Sequence, residues 1–193
     1  MKRVTLLLAA MILVLSFSCV AFAEEDWTGN VNFFVGSKSM EETDWAPVED
    51  QGEFGIELDF GKKSWPFNIA IDIMSSSKEE EFGALTLKGE THELNLGVRK
   101  IFDLGGPKPF IGGGLSIISA KASATVGPLT GSADYGGTGL WIAGGIYFTL
   151  GESFNLGLEF KHSAAKDEVV SGGNSYDIEL GGSHAGLILG VHW

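Results

Sequence analysis

Residues 181–193 read GGSHAGLILGVHW. In an extended chain successive side chains point to opposite faces. Trp193, Val191, Leu189 and Leu187 then share one face, and His192, Gly190, Ile188 and Gly186 share the other. A bulky aromatic at the last position of an apolar strand suits a ring placed at a membrane interface better than it suits a soluble domain. This ending predicts a strand that closes a β-barrel in a bilayer.

Seven more stretches alternate in the same way, at about 28–36, 52–60, 66–75, 92–102, 109–121, 138–150 and 154–162. The second is the cleanest: Phe54, Ile56, Leu58 and Phe60 alternate with Glu53, Gly55, Glu57 and Asp59. In the fifth, Gly112-Gly113-Gly114 blurs the parity, and Ile111, Leu115 and Ile117 are read as outward. In the sixth, Leu140, Ile142, Ile146 and Phe148 face outward, with Trp141, Ala143, Gly145 and Tyr147 inward. Each strand is long enough to cross a bilayer at a tilt. No long segment keeps a helical period of about 3.6 residues. The connections alternate long and short: 37–51, 61–65, 76–91, 103–108, 122–137, 151–153 and 163–175. The fold expected is all-β, an eight-stranded antiparallel up-and-down barrel.

The other end of the chain carries Lys2 and Arg3, an apolar run from Val4 to about Leu15, and Ala21-Phe22-Ala23 before Glu24-Glu25-Asp26. That pattern predicts a signal peptide over 1–23, cleaved from a barrel domain over 24–193. Cys19, the one cysteine, leaves with it, so no thiol or disulfide chemistry is expected. Loss of two bases would take the net charge from −12 to −14. So acidic a chain is a poor partner for nucleic acid, which is bound chiefly through basic residues on phosphates.

Aromatics collect at the end with the short turns: Trp27, Phe60, Trp65, Phe102, Phe110, Phe148, Phe154 and Trp193. Amphipathic rings favour the headgroup layer. Lys100 lies on the apolar face at a strand end, from which its stem can reach lipid phosphates.

Three features together carry a resemblance: the signal, the strands Lys108-Pro109-Phe110-Ile111-Gly112-Gly113-Gly114 and Phe154-Asn155-Leu156-Gly157-Leu158-Glu159-Phe160, and the aromatic-ended last strand. The chain resembles the bacterial outer-membrane β-barrel protein family, in the small eight-stranded group that includes OmpA-like transmembrane domains. The resemblance implies a monomer in the outer membrane among lipids and lipopolysaccharide, with both termini periplasmic and the long loops extracellular. It also implies that Leu187, Leu189, Val191 and Trp193 form the signal read by the barrel-assembly machinery. Its members serve structural, adhesive, host-interaction and small-solute roles.

The inward parity collects Glu53, Glu57, Asp59, Asp72, Glu93, Glu159, Arg99 and Lys161. An eight-stranded barrel is just wide enough for side chains to fill. Buried charges must pair or hold water. The leading expectation is therefore a plugged polar lumen in a non-enzymatic protein that presents its loops, without cofactor or metal. The first alternative is a narrow path or binding barrel for small cations, from the excess of six acids over two bases in that set.

Acidic runs in the loops, such as Glu79-Glu80-Glu81, read as solvated tips. His92, His162, His184 and His192 lack metal-ligand spacing. The second alternative is an outer-leaflet lipid A hydrolase anchored on His162. Outer-membrane deacylases carry a His-x-Ser-Asn motif, but this chain has His162-Ser163-Ala164-Ala165, and adjacent strand residues point to opposite faces.

Overall fold

The computed structural model describes residues 26–151, 153–171 and 174–193. The expected signal segment, 1–23, lies outside the described residues. Strand β1 (Trp27–Ser39) is followed by a single helical turn, α1 (Glu42–Trp45), and then β2 (Asp50–Lys62), β3 (Asn68–Phe82), β4 (Leu85–Ile101) and β5 (Pro107–Val126). The chain continues through β6 (Leu129–Leu150), β7 (Phe154–Ser171), β8 (Asn174–Glu179) and β9 (Gly182–His192). Strands β1 to β7 pair antiparallel in chain order, and β9 pairs with both β7 and β1. These pairings close a ring of eight strands. Trp193 fastens the seam, exchanging backbone hydrogen bonds with Gly29 at 3.1 and 3.2 Å.

Closure answers a physical demand: inside a bilayer every backbone N–H and C=O must find its partner within the protein. Among the described residues no helix is long and apolar enough to cross a membrane. The outer wall is apolar. Phe54, Ile73, Leu115, Leu140 and Phe160 are each 60% exposed or more, and they stand on strands all round the ring. In water such a continuous band would be a strong liability, whereas in acyl chains it is solvated.

At one end the connections are short. At the other, three of the four segments expected as long loops are mostly strand, and the first, 37–51, carries α1. Residues 76–91 continue the β3–β4 ladder to a tip at Gly83, and residues 122–137 continue the β5–β6 ladder to a tip at Gly127. Both tip glycines have φ near +60° (65° and 57°), which side chains on an L-residue disfavour. The apolar alternation marks only the part of each hairpin that lies in lipid. Above it, Ser75-Ser76-Ser77-Lys78-Glu79-Glu80-Glu81 needs no apolar face, yet its backbone goes on pairing. Strand β8 likewise falls where the sequence predicts a loop running into the last strand. It pairs with the outer part of β7 before Leu180-Gly181 break the ladder and β9 begins.

Candidate functional site

Among the described residues, the interior is where the sequence gathers most charge on one surface, and it is built in tiers. Nearest the short turns is an amide tier. Asn30 and Asn68 donate from Nδ2 to Asp59 Oδ1 at 2.8 and 2.6 Å, and Asn155 Nδ2 donates to Asn30 Oδ1 at 2.7 Å.

Next comes an ionic tier. Lys161 Nζ lies 3.2 Å from Glu57, 2.9 Å from Asp72 and 3.0 Å from Glu159. The Arg99 guanidinium lies 3.3 Å from Asp72, 3.5 Å from Glu159, 3.6 Å from Asp59 and 3.7 Å from Glu57. Arg99 also donates to the Tyr147 hydroxyl at 3.2 Å. Five different strands supply these groups. They meet because inward residues on β2, β3, β4 and β7, together with Tyr147 on β6, converge in a narrow ring.

A third tier joins Lys38, Glu93, His184, Glu53 and Ser163. Lys38 Nζ lies 2.6 Å from Glu93 and also donates to Thr91 Oγ1 and to the carbonyl of Leu180. His184 sits between Glu53, 2.9 Å from its Nδ1, and Ser163, whose Oγ is 3.1 Å from Nε2. Ser163 Oγ also donates to Glu93 at 3.2 Å. Above this tier lies an apolar cap of Met40, Trp45, Val48, Ile118, Ala120, Ala165 and Leu180. Trp45 is brought there by α1, where its indole donates to the Glu179 carbonyl at 2.7 Å and Asp44 accepts from the Glu179 N–H.

All eight charged residues expected in the lumen are buried: Glu53, Glu57, Asp59, Asp72, Glu93, Arg99, Glu159 and Lys161. The structure adds Lys38 and His184, which the sequence expectation omits. Lys38 lies two residues beyond the expected end of the first strand, yet it keeps the parity of Asn30, Asn32 and Phe34. His184 likewise keeps the parity of His192, Gly190, Ile188 and Gly186. Their inclusion narrows the acid excess on which a cation path rests. Glu57, Asp72 and Glu159 bring carboxylate oxygens within 4.8 Å of one another, a donor set suited to a divalent ion. Lys161 and Arg99 already supply the positive charge there.

One aromatic needs correction. Phe110 points inward, not to the interface: it is 4% exposed and stacks on Tyr147 at 4.4 Å between ring centroids, with the Arg99 guanidinium 5.1 Å from its ring. It fits because Gly145 opposite has no side chain, and a Cβ there would overlap the phenyl ring. Of the other rings, Trp65, Phe102, Phe148 and Phe154 are exposed, while Trp27, Phe60 and Trp193 are partly so. Trp27 packs against Phe60 and Trp65 at 6.3 and 5.8 Å. Leu187 and Leu189 stand exposed on the outer wall beside the partly covered Val191 and Trp193.

His162 lies on the outside, 3.2 Å from Ser183, whereas Ser163 points inward to His184. The two residues of that pair therefore face opposite sides of the wall. The buried serine–imidazole–carboxylate order at Ser163, His184 and Glu53 lies beneath the apolar cap, with Ser163 1% exposed.

The family model described as the outer membrane protein beta-barrel domain matches residues 7–189. The chain belongs to this family. Among solved structures it is similar to the attachment invasion locus protein Ail of Yersinia pestis, crystallised with the heparin analogue sucrose octasulfate: 11% identity, TM-score 0.61, covering 87% of this chain and 99% of that one. It is also similar to a major outer membrane protein of Thermus thermophilus (11% identity, TM-score 0.56, 86% and 98% covered). A third is Neisserial surface protein A (12% identity, TM-score 0.53, 86% and 95% covered). No curated protein sequence matches the chain. At these identities the structural likeness speaks for the fold, and the family places the protein in the outer membrane of Gram-negative bacteria.

Proposed function

We propose that this is a non-enzymatic barrel with a plugged lumen, made with a cleaved signal peptide, whose work is to present acidic hairpins at the cell surface. The observation that carries it is the tier of Arg99 and Lys161 among Glu57, Asp59, Asp72 and Glu159. A conducting pore needs mobile ions and water at its narrowest point, whereas here fixed cations from β4 and β7 occupy the positions that a permeant cation would take. The apolar cap around Trp45 adds a second barrier above.

In this reading the short turns and both termini are periplasmic, as in outer-membrane barrels generally. Glu41, Glu42, Asp44, Glu49 and Asp50 around α1, and Glu79, Glu80 and Glu81 on β3, then face the medium. Ail holds a polysulfated sugar in its crystals. The acidic surface here disfavours such a ligand and favours a basic partner, or divalent ions shared with lipopolysaccharide. The protein acts as a monomer, and Leu187, Leu189, Val191 and Trp193 are its signal to the assembly machinery.

The test is conductance of the refolded protein in a planar bilayer, with folding shown by heat-dependent gel mobility, beside a Glu57→Gln, Asp59→Asn variant. A silent bilayer is expected for the parent barrel. Steady cation-selective current that the variant alters would overturn the plug and establish a transport path.

A further inference from the structure

Although the chain carries a net charge of −12, lysines gather at the short-turn end. Lys62 ends β2 and Lys63 follows it in the β2–β3 connection, with Lys100 near the end of β4 and Lys108 at the start of β5. All four line one cavity of about 360 Å³, whose inner wall includes Arg99 and Tyr147. The Arg99 Nε is buried without a hydrogen-bond partner. Asp103 is the one acid among the described residues of the lining.

A second hollow, of about 400 Å³, lies on the lipid-facing wall and shares Pro66, Phe67 and Lys100 with the first. Its floor is Gly113, on the outward parity between the exposed Ile111 and Leu115. Gly112 and Gly114 are accounted for by packing: added Cβ atoms would press on the Trp141 ring and on the β4 backbone. Gly113 faces out and floors a trough bordered by Val98 and Ile111, and an added Cβ there would also lie 3.1 Å from the Trp141 carbonyl oxygen. A cationic mouth therefore continues, over one lip, into an apolar trough.

We infer that this lip seats one anionic glycerophospholipid, its phosphodiester held by Lys100 with Lys62, Lys63 and Lys108 and one acyl chain lying over Gly113. Clustered bases beside an apolar wall select an anionic headgroup by charge and an acyl chain by burial. Which leaflet supplies the lipid rests on the orientation proposed above, and the inner leaflet follows from it. Rings flank the lip, with Lys62 5.7 Å from the Trp27 ring centroid and Lys100 6.0 Å from that of Phe102. The lysine stems are thus already stationed at headgroup depth.

The test is native mass spectrometry of the full refolded barrel from micelles holding equal phosphatidylglycerol and phosphatidylcholine. One phosphatidylglycerol retained per barrel is expected, falling about fivefold for Lys100→Gln. Gly113→Leu, checked for folding by gel mobility, should lose it, and Lys121→Gln at the far end of β5 should keep it. Equal retention of the two lipids, or an unchanged Lys100→Gln variant, would overturn the seat. The orientation is read separately. A Ser64→Cys variant, in the same turn, should resist a membrane-impermeant maleimide in intact cells, and its labelling would overturn the inner-leaflet assignment while leaving the lipid result standing.

Discussion

Lys161 and Lys88 are the same residue type on neighbouring kinds of surface, and both touch carboxylates at similar distances. Lys161 lies 2.9–3.2 Å from three acids inside the barrel, and Lys88 lies 2.7 Å from Glu90 on the upper part of β4. The Lys88 side chain is 37% exposed, whereas Lys161 is 0%. A charge near water loses little when its partner goes, because solvent takes the partner's place. A charge sealed among three carboxylates has no such substitute, and its removal leaves several buried anions facing one another. Distance describes the two pairs almost identically. Burial decides what each is worth.

The largest expected effect therefore comes from Lys161→Ala, a loss of about 3–5 kcal/mol of stability. It would be measured by urea unfolding of the barrel in lipid vesicles. Lys161→Met should lose nearly as much despite keeping most of the volume, since Glu57, Asp72 and Glu159 would be left with Arg99 as their one remaining cation. A methionine variant as stable as the parent would show that the tier is held by shape and not by charge.

A smaller effect is expected from the apolar cap. Trp45→Ala removes a buried indole and its bond to the Glu179 carbonyl, at about 3 kcal/mol. The loss should be confined to the outer end of the barrel. Hydrogen exchange should rise on α1 and at Leu180, while the ladder between β2 and β3 stays protected. If the ionic tier is the true barrier, this variant should also stay silent in the bilayer. Current from Trp45→Ala would place the barrier in the cap.

The ionic tier and the cap also differ in how visible they are in the sequence. The barrel and its ionic tier can be read because a lipid-facing wall forces strict alternation, so Glu57, Asp72, Arg99 and Lys161 fall on the opposite parity. The rule weakens where lipid ends. Lys38 lies past the last apolar outward residue of β1, and so its pairing with Glu93 emerges only when the parity is carried further. The hairpins and β8 are hidden for the same reason. Nothing in the spacing of Trp45 and Leu180 brings them together, because their contact depends on the path of α1 across the barrel mouth. Phe110 misleads differently: an aromatic near a strand end suits the interface, although its parity opposite the outward Ile111 turns it inward, into the space beside Gly145.

Lys88→Ala should have the smallest effect, under about 1 kcal/mol. Its value lies in the salt dependence that separates it from Lys161. At about 1 M salt the screening length shrinks to about 3 Å, so the contribution of an exposed pair should fade. Ions cannot enter the sealed tier, so the Lys161→Ala deficit should persist at the same ionic strength. Unfolding both variants at low and high salt gives two differences from the parent. The exposed difference should close with salt while the buried one does not. If both closed together, water and ions would have to reach Lys161 in the folded barrel. The lumen would then be wet, and the silent bilayer expected above would be hard to sustain.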